Sequence, residues 1–145
     1  IQPIREGRAE MVLGSRMAIP GGAERGGMPW WKRIANRFLT TCENLAMGRQ
    51  FTECHTGYRA YSRRFLETVP FLRNANGFVF DTEVIFQAVH FDLRVVEVPI
   101  QTRYFADASS VNFRTSVVYG LGTLWTAARF LLHRWGLVKS EKFRR

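Results

Sequence analysis

Met11-Val12-Leu13-Gly14-Ser15-Arg16 is a short apolar run stopped by glycine and serine, a pattern that predicts a buried strand ending in a loop. Beyond it, residues 17–28 hold four glycines and Pro20 and have little means of ordering themselves, as in a mobile loop over a pocket or a plain connector. Pro29 then stands at a first helical position. Trp31, Ile34, Phe38 and Leu45, with Ala35 and Cys42 beside them, recur at helical spacing and predict a helix over 29–47 that ends at Gly48. Its other face carries Lys32, Arg33, Asn36, Arg37 and Thr40 and reads as solvated and basic, although Lys32 and Asn36, four apart, share one side.

Gly57 to Ser62 alternates and is rich in tyrosine, which predicts a short strand, followed by a helix over 63–69 closed by Pro70. After the turn signal Asn74-Ala75-Asn76-Gly77, a helix is expected over 81–91, with Val84, Ile85, Ala88 and Val89 inward and Asp81 placed to cap it. Residues 94–104 alternate as a strand, and Pro99 argues for a sheet edge. From about Phe113 a long helix carries Val117, Leu121, Leu124, Ala128, Leu131 and Trp135 as an apolar seam, widened by Val118, Trp125 and Leu132. The class is α/β.

With 145 residues, 46% hydrophobic and 14% aromatic, the chain has ample material for one packed core. Its 21 Lys+Arg against 12 Asp+Glu give +9 and point to an anionic partner: nucleic acid, a phosphorylated substrate or an acidic membrane surface. Positive charge gathers in residues 113–145. The N-terminus shows no apolar run of the secretory kind, and residues 115–128 fall short of the roughly 20 apolar residues that cross a bilayer. Two cysteines, Cys42 and Cys54, exclude a disulfide framework and an all-cysteine zinc site.

No P-loop, GxGxxG, GxSxG or HExxH pattern occurs. Asp81 and Glu83 are two carboxylates at one helix start, suited to a general base, to sugar hydroxyls or to plain capping. Arg16, Lys32, Arg59 and Arg103 end or follow elements, where cations suit phosphate contacts. His55 is a candidate phosphate donor or single ligand in a composite site.

In their order, Gly14-Ser15-Arg16, the glycine-rich loop, Trp31-Lys32-Arg33-Ile34-Ala35-Asn36, His55-Thr56-Gly57-Tyr58-Arg59 and Gly77-Phe78-Val79-Phe80-Asp81-Thr82-Glu83 resemble the latter half of family-2 inverting glycosyltransferases, nearest the dolichyl-phosphate mannose synthase type. The resemblance implies a partial GT-A (Rossmann-like) α/β fold lacking the N-terminal nucleotide-binding half. Residues 1–112 would form the acceptor side, and residues 113–145 an amphipathic basic C-terminal helix and tail. It further implies that Arg16, Lys32, Asn36 and Arg59 contact the acceptor phosphate and that His55, Thr56, Gly57 and Tyr58 lie beside the donor sugar. Asp81, then Glu83, would be the catalytic carboxylates.

The implied cofactor is a divalent metal, Mg or Mn, held in the whole enzyme by an Asp-x-Asp pair. No such pair occurs here, so no metal site and no turnover are expected of this chain alone. The implied partners are a nucleotide-sugar donor, a lipid-phosphate or glycan acceptor and an anionic membrane surface, with the chain peripheral to the cytoplasmic face of the inner membrane. Exposed strand edges predict self-association. A catalytically silent membrane-surface domain and a basic nucleic-acid-binding module are the alternatives. Against the second, no recognition motif is present and most aromatics fall on apolar helix faces, so no nucleic-acid partner is expected.

Overall fold

The computed structural model describes residues 1–103 and 113–144. Its elements are α1 (Gln2–Arg5), β1 (Met11–Ser15), α2 (Gly22–Arg25), α3 (Trp30–Met47), β2 (Arg59–Tyr61), α4 (Arg63–Thr68), α5 (Val79–His90), β3 (Val95–Pro99) and α6 (Phe113–Arg134). Short 3-10 turns lie at Phe71–Arg73 and Glu141–Phe143. The architecture is mixed α/β, a small sheet with helices packed over it.

All five residues of β1 are buried, as an uninterrupted apolar run requires. The strand order is β2-β1-β3. β1 runs antiparallel to β2, with Met11 opposite Tyr61 and Leu13 opposite Arg59. It runs parallel to β3, from Met11 opposite Val95 to Ser15 opposite Pro99. β3 therefore forms one edge of the described sheet and Pro99 is its last residue, where a missing N–H costs least. The strand expected over 94–104 is shorter, and Tyr104 lies outside the described residues. A Cβ at Gly14 would come within 2.9 Å of Ile100 and 3.2 Å of Tyr58, so glycine lets the neighbouring segments close over β1. At the other end of the strand Glu10 accepts from Arg94 N at 2.7 Å and from Arg94 Nη2 at 2.6 Å, tying the starts of β1 and β3. These bonds from Arg94 hold the Glu10 carboxyl down at about 2, against the opposing effect of burial.

The core lies between the sheet and α5, which is buried from Thr82 to Ala88. Phe65 of α4, Phe86 of α5, Phe130 of α6 and Phe143 of the last 3-10 turn are its aromatic members, with the Phe86 and Phe130 rings 5.0 Å apart. α6 packs against both α3 and α5. Among the described residues no helix is long and apolar enough to cross a membrane.

Two expectations are corrected. α3 does not turn its apolar stripe inward: it buries Asn36, Leu39, Thr40, Glu43, Ala46 and Met47, while Ile34, Phe38 and Leu45 stand 60%, 58% and 78% exposed. In α6, whose seam carries no expected direction, Thr123, Thr126, Ala127 and Phe130 are likewise buried while Val117, Val118, Leu121 and Trp125 are exposed. The physical reason is packing. Gly120 meets Leu39, and a Cβ at Gly122 would fall 2.6 Å from Val79, so close helix contact is made along the small-residue side of α6. Secondly, α5 begins at Val79 with Phe78 as its N-cap and no capping side chain, so Asp81 sits inside the first turn and does not cap the helix.

Candidate functional site

β1 delivers Arg16 to the rim of a cleft because the chain turns sharply after Ser15. Ser15 Oγ accepts from Ala18 N at 3.0 Å and shares a 2.6 Å hydrogen bond with Thr52 Oγ1. The segment 17–28 contains the short helix α2 and is tied down: Arg33 of α3 pairs with Glu24, and Met28 N donates to Ala23 O at 2.9 Å. α3 then contributes Lys32 and Asn36 from successive turns.

The loop between α3 and β2 is held from three directions. Glu97 of β3 accepts from Thr52 N at 2.9 Å and from Glu53 N at 3.0 Å. Thr40 of α3 accepts from Cys54 N at 3.3 Å. From below, Arg59 donates to the carbonyls of Cys54, Thr56 and Asp81, and its side chain is 2% exposed. Arg59 is thus consumed in joining this loop to the start of α5.

These elements enclose a cleft of about 380 Å³. Arg16, Lys32, Asn36, His55, Gly57 and Asp81 line it together; Met28, Trp31, Leu39 and Phe78 form apolar walls, and Ser116 and Tyr119 come from α6. The other expected site residues lie elsewhere. Thr56 is buried, its hydroxyl accepting from Tyr58 N at 3.1 Å. Tyr58 is 73% exposed and is not part of the cleft lining. Glu83 is buried against Lys142 and accepts from Ala75 N at 2.8 Å, facing the C-terminal segment.

Beneath the cleft lies a polar line. His55 Nδ1 is 2.6 Å from the Tyr119 hydroxyl, and His55 Nε2 is 3.0 Å from Glu43, which has no exposed side-chain surface. Burial pushes the Tyr119 hydroxyl up to about 12, so it stays protonated and available as a donor. Burial, with Glu43 nearby, also pushes the Cys54 thiol up, which leaves it an inert packing group. Among the described residues no group of three or more His, Cys, Asp or Glu side chains is placed to hold a metal ion. The acids present do not fit one either: Asp81 faces Arg59, and Glu53 is bonded to Arg16 and Asn36.

Three similar proteins share this stretch of sequence. The polyprenol monophosphomannose synthase of Mycolicibacterium smegmatis is 31% identical over 93 residues, 63% of this chain and 34% of that protein. The low-salt glycan biosynthesis hexosyltransferase Agl6 of Haloferax volcanii is 34% identical over 100 residues, 67% of this chain and 23% of that protein. The UDP-N-acetylglucosamine–dolichyl-phosphate N-acetylglucosaminyltransferase of Methanococcus voltae is 33% identical over 104 residues, 72% of this chain and 41% of that protein. The chain belongs to the family-2 glycosyltransferases. It spans between 23% and 41% of the length of these curated relatives. No family model matches the chain and no solved structure is significantly similar.

Within this family-2 chain, sequence reading missed Glu53, Glu97 and Tyr119. Glu53 stands four residues before Gly57, beside a segment already singled out, so a carboxylate next to Thr56-Gly57-Tyr58-Arg59 was the available signal. Glu97 and Tyr119 carried none, since their roles exist only through partners 45 and 64 residues away.

Proposed function

We propose that this chain is the acceptor side of an inverting glycosyltransferase that moves a sugar from a nucleotide-diphosphate donor to a polyprenyl phosphate. The single observation that carries the reading is the cleft, where Arg16, Lys32 and Asn36 meet Asp81 between apolar walls. A lipid phosphate needs that pairing: cations for its head, and Trp31, Leu39 and Phe78 for the first part of its chain.

The chemistry follows from charge. A phosphate nucleophile is already anionic and needs orientation, which Arg16 and Lys32 supply, while inversion leaves the new bond on the face opposite the departing diphosphate. Asp81 holds sugar hydroxyls in that reaction, and it serves as general base where the acceptor is a hydroxyl. A divalent metal in the whole enzyme would stabilise the diphosphate as it leaves. Among the described residues none is placed to hold it.

The outward apolar stripes of α3 and α6 favour work at a lipid surface. The two helices pack on one another, and each keeps apolar residues exposed, Ile34, Phe38 and Leu45 on α3 and Val117, Val118, Leu121 and Trp125 on α6. That feature serves equally a membrane-surface domain with no sugar site, and the cleft separates the two readings. The test is vesicle co-sedimentation with and without polyprenyl phosphate. Preference for vesicles carrying it, lost in Arg16→Ala/Lys32→Ala, supports the acceptor reading; equal binding to both vesicles sinks it. The 145 residues alone are expected to turn over no labelled nucleotide sugar.

A further inference from the structure

Glu53 has no exposed side-chain surface, yet its carboxylate is ringed by donors from the cleft. Oε2 accepts from Arg16 N at 2.7 Å, and Oε1 accepts from Arg16 Nε at 2.8 Å and from Asn36 Nδ2 at 2.8 Å. Oε1 also pairs with Arg16 Nη2, which in turn donates to His55 O at 2.9 Å. One carboxylate thereby fixes a side chain at the end of β1 and another on α3. Glu53 is itself held, since its N–H donates to Glu97. It does not line the cleft.

We propose that Glu53 is a positioning residue: it presets Arg16 and Asn36 in the geometry that a phosphate-bearing ligand needs. The proposal rests on the cleft being a phosphate site. An alternative role, that of a counter-charge diluting Arg16, differs from it in sign. A counter-charge opposes every anion that enters, so its removal tightens anion binding. A positioning carboxylate settles beforehand the ordering of two side chains that the ligand would otherwise have to order, so its removal weakens binding although the cleft becomes more positive.

The test uses the 145-residue chain and geranyl phosphate, with geraniol as the uncharged control. Wild type is expected to prefer geranyl phosphate. Glu53→Gln, nearly isosteric, is expected to bind it about tenfold more weakly, and Glu53→Asp is expected to fall between the two. Equal or tighter binding by Glu53→Gln overturns the proposal. Arg16→Lys, which keeps the charge and loses the planar fork, takes its place if Glu53→Gln fails to fold: about tenfold weakening supports positioning, and unchanged affinity overturns it.

A ligand-free arm separates this proposal from the reading beneath it. The Arg16 Nε–H should give a distinct, exchange-protected NMR signal in wild type that joins the bulk arginine signals in Glu53→Gln. If wild type does not distinguish geranyl phosphate from geraniol, the phosphate reading of the cleft falls. The Arg16 signal then decides for or against Glu53 as the group that orders it.

Discussion

The two faces of α3 obey opposite rules. Toward the core it offers Asn36, Thr40 and Glu43; toward the outside it offers Ile34, Phe38 and Leu45. In α5 nothing is inverted, because a helix buried from Thr82 to Ala88 has no solvent face to choose. The contrast teaches that periodicity fixes where a stripe lies on a helix and leaves its direction open. On α3 the direction is set by what the polar side chains meet. Asn36 finds Glu53 and Thr40 finds Cys54 N, while Glu43 lies 3.0 Å from His55 Nε2 without a hydrogen bond to it, so the polar interior is partnered through Asn36 and Thr40.

The largest expected effect tests the floor of that polar interior. Arg59→Ala leaves three carbonyls without their donor and should cost about 3 kcal/mol in urea unfolding; a loss under about 1 kcal/mol would show that the loop above it is held without Arg59. Next, Asn36→Leu puts an apolar side chain where a simple amphipathic helix would want one. It should nonetheless destabilise by about 2 kcal/mol, because Glu53 loses a donor; a rise in melting temperature would break the comparison.

The outer face predicts the reverse. Phe38→Ser with Leu121→Ser should leave thermal stability within about 0.5 kcal/mol while weakening partition onto anionic vesicles about tenfold. Destabilisation like that of a core substitution would mean the stripe is covered. The smallest effect is a control remote from both faces. Glu10 has a folded value of about 2 against 4.5, so its contribution is complete above 4.5 and is lost as pH falls toward 2. Arg94 is 56% exposed, and solvent screening reduces that contribution to about 1 kcal/mol. Glu10→Gln should therefore lower stability at pH 7 by about that amount and flatten the acid limb of the stability curve.

Much of the fold was legible because punctuation is local. Pro29 and Gly48 bracket α3 within a residue, Gly48 taking a positive φ of 66° as the helix ends. Pro70 follows α4, and the apolar run 11–15 is β1. Of the candidate site, Arg16, Lys32, Asn36, His55, Gly57 and Asp81 were named from sequence and do share one cleft. Arg59 and Glu83 were named as well, but each is occupied elsewhere, Arg59 by carbonyls and Glu83 by Lys142. What could not be read is the pairing of buried charges, since Glu53 and Arg16 are separated by 37 positions and nothing in either neighbourhood announces the other.

Gly26 is small for a reason that reaches past its own turn. A Cβ there would collide with the Thr102 carbonyl oxygen, so the strip after β1 and the strip after β3 touch backbone to backbone. Two stretches of the polypeptide far apart in the chain thereby meet at a position that has no side chain. A bulkier residue at position 26 would prise them apart.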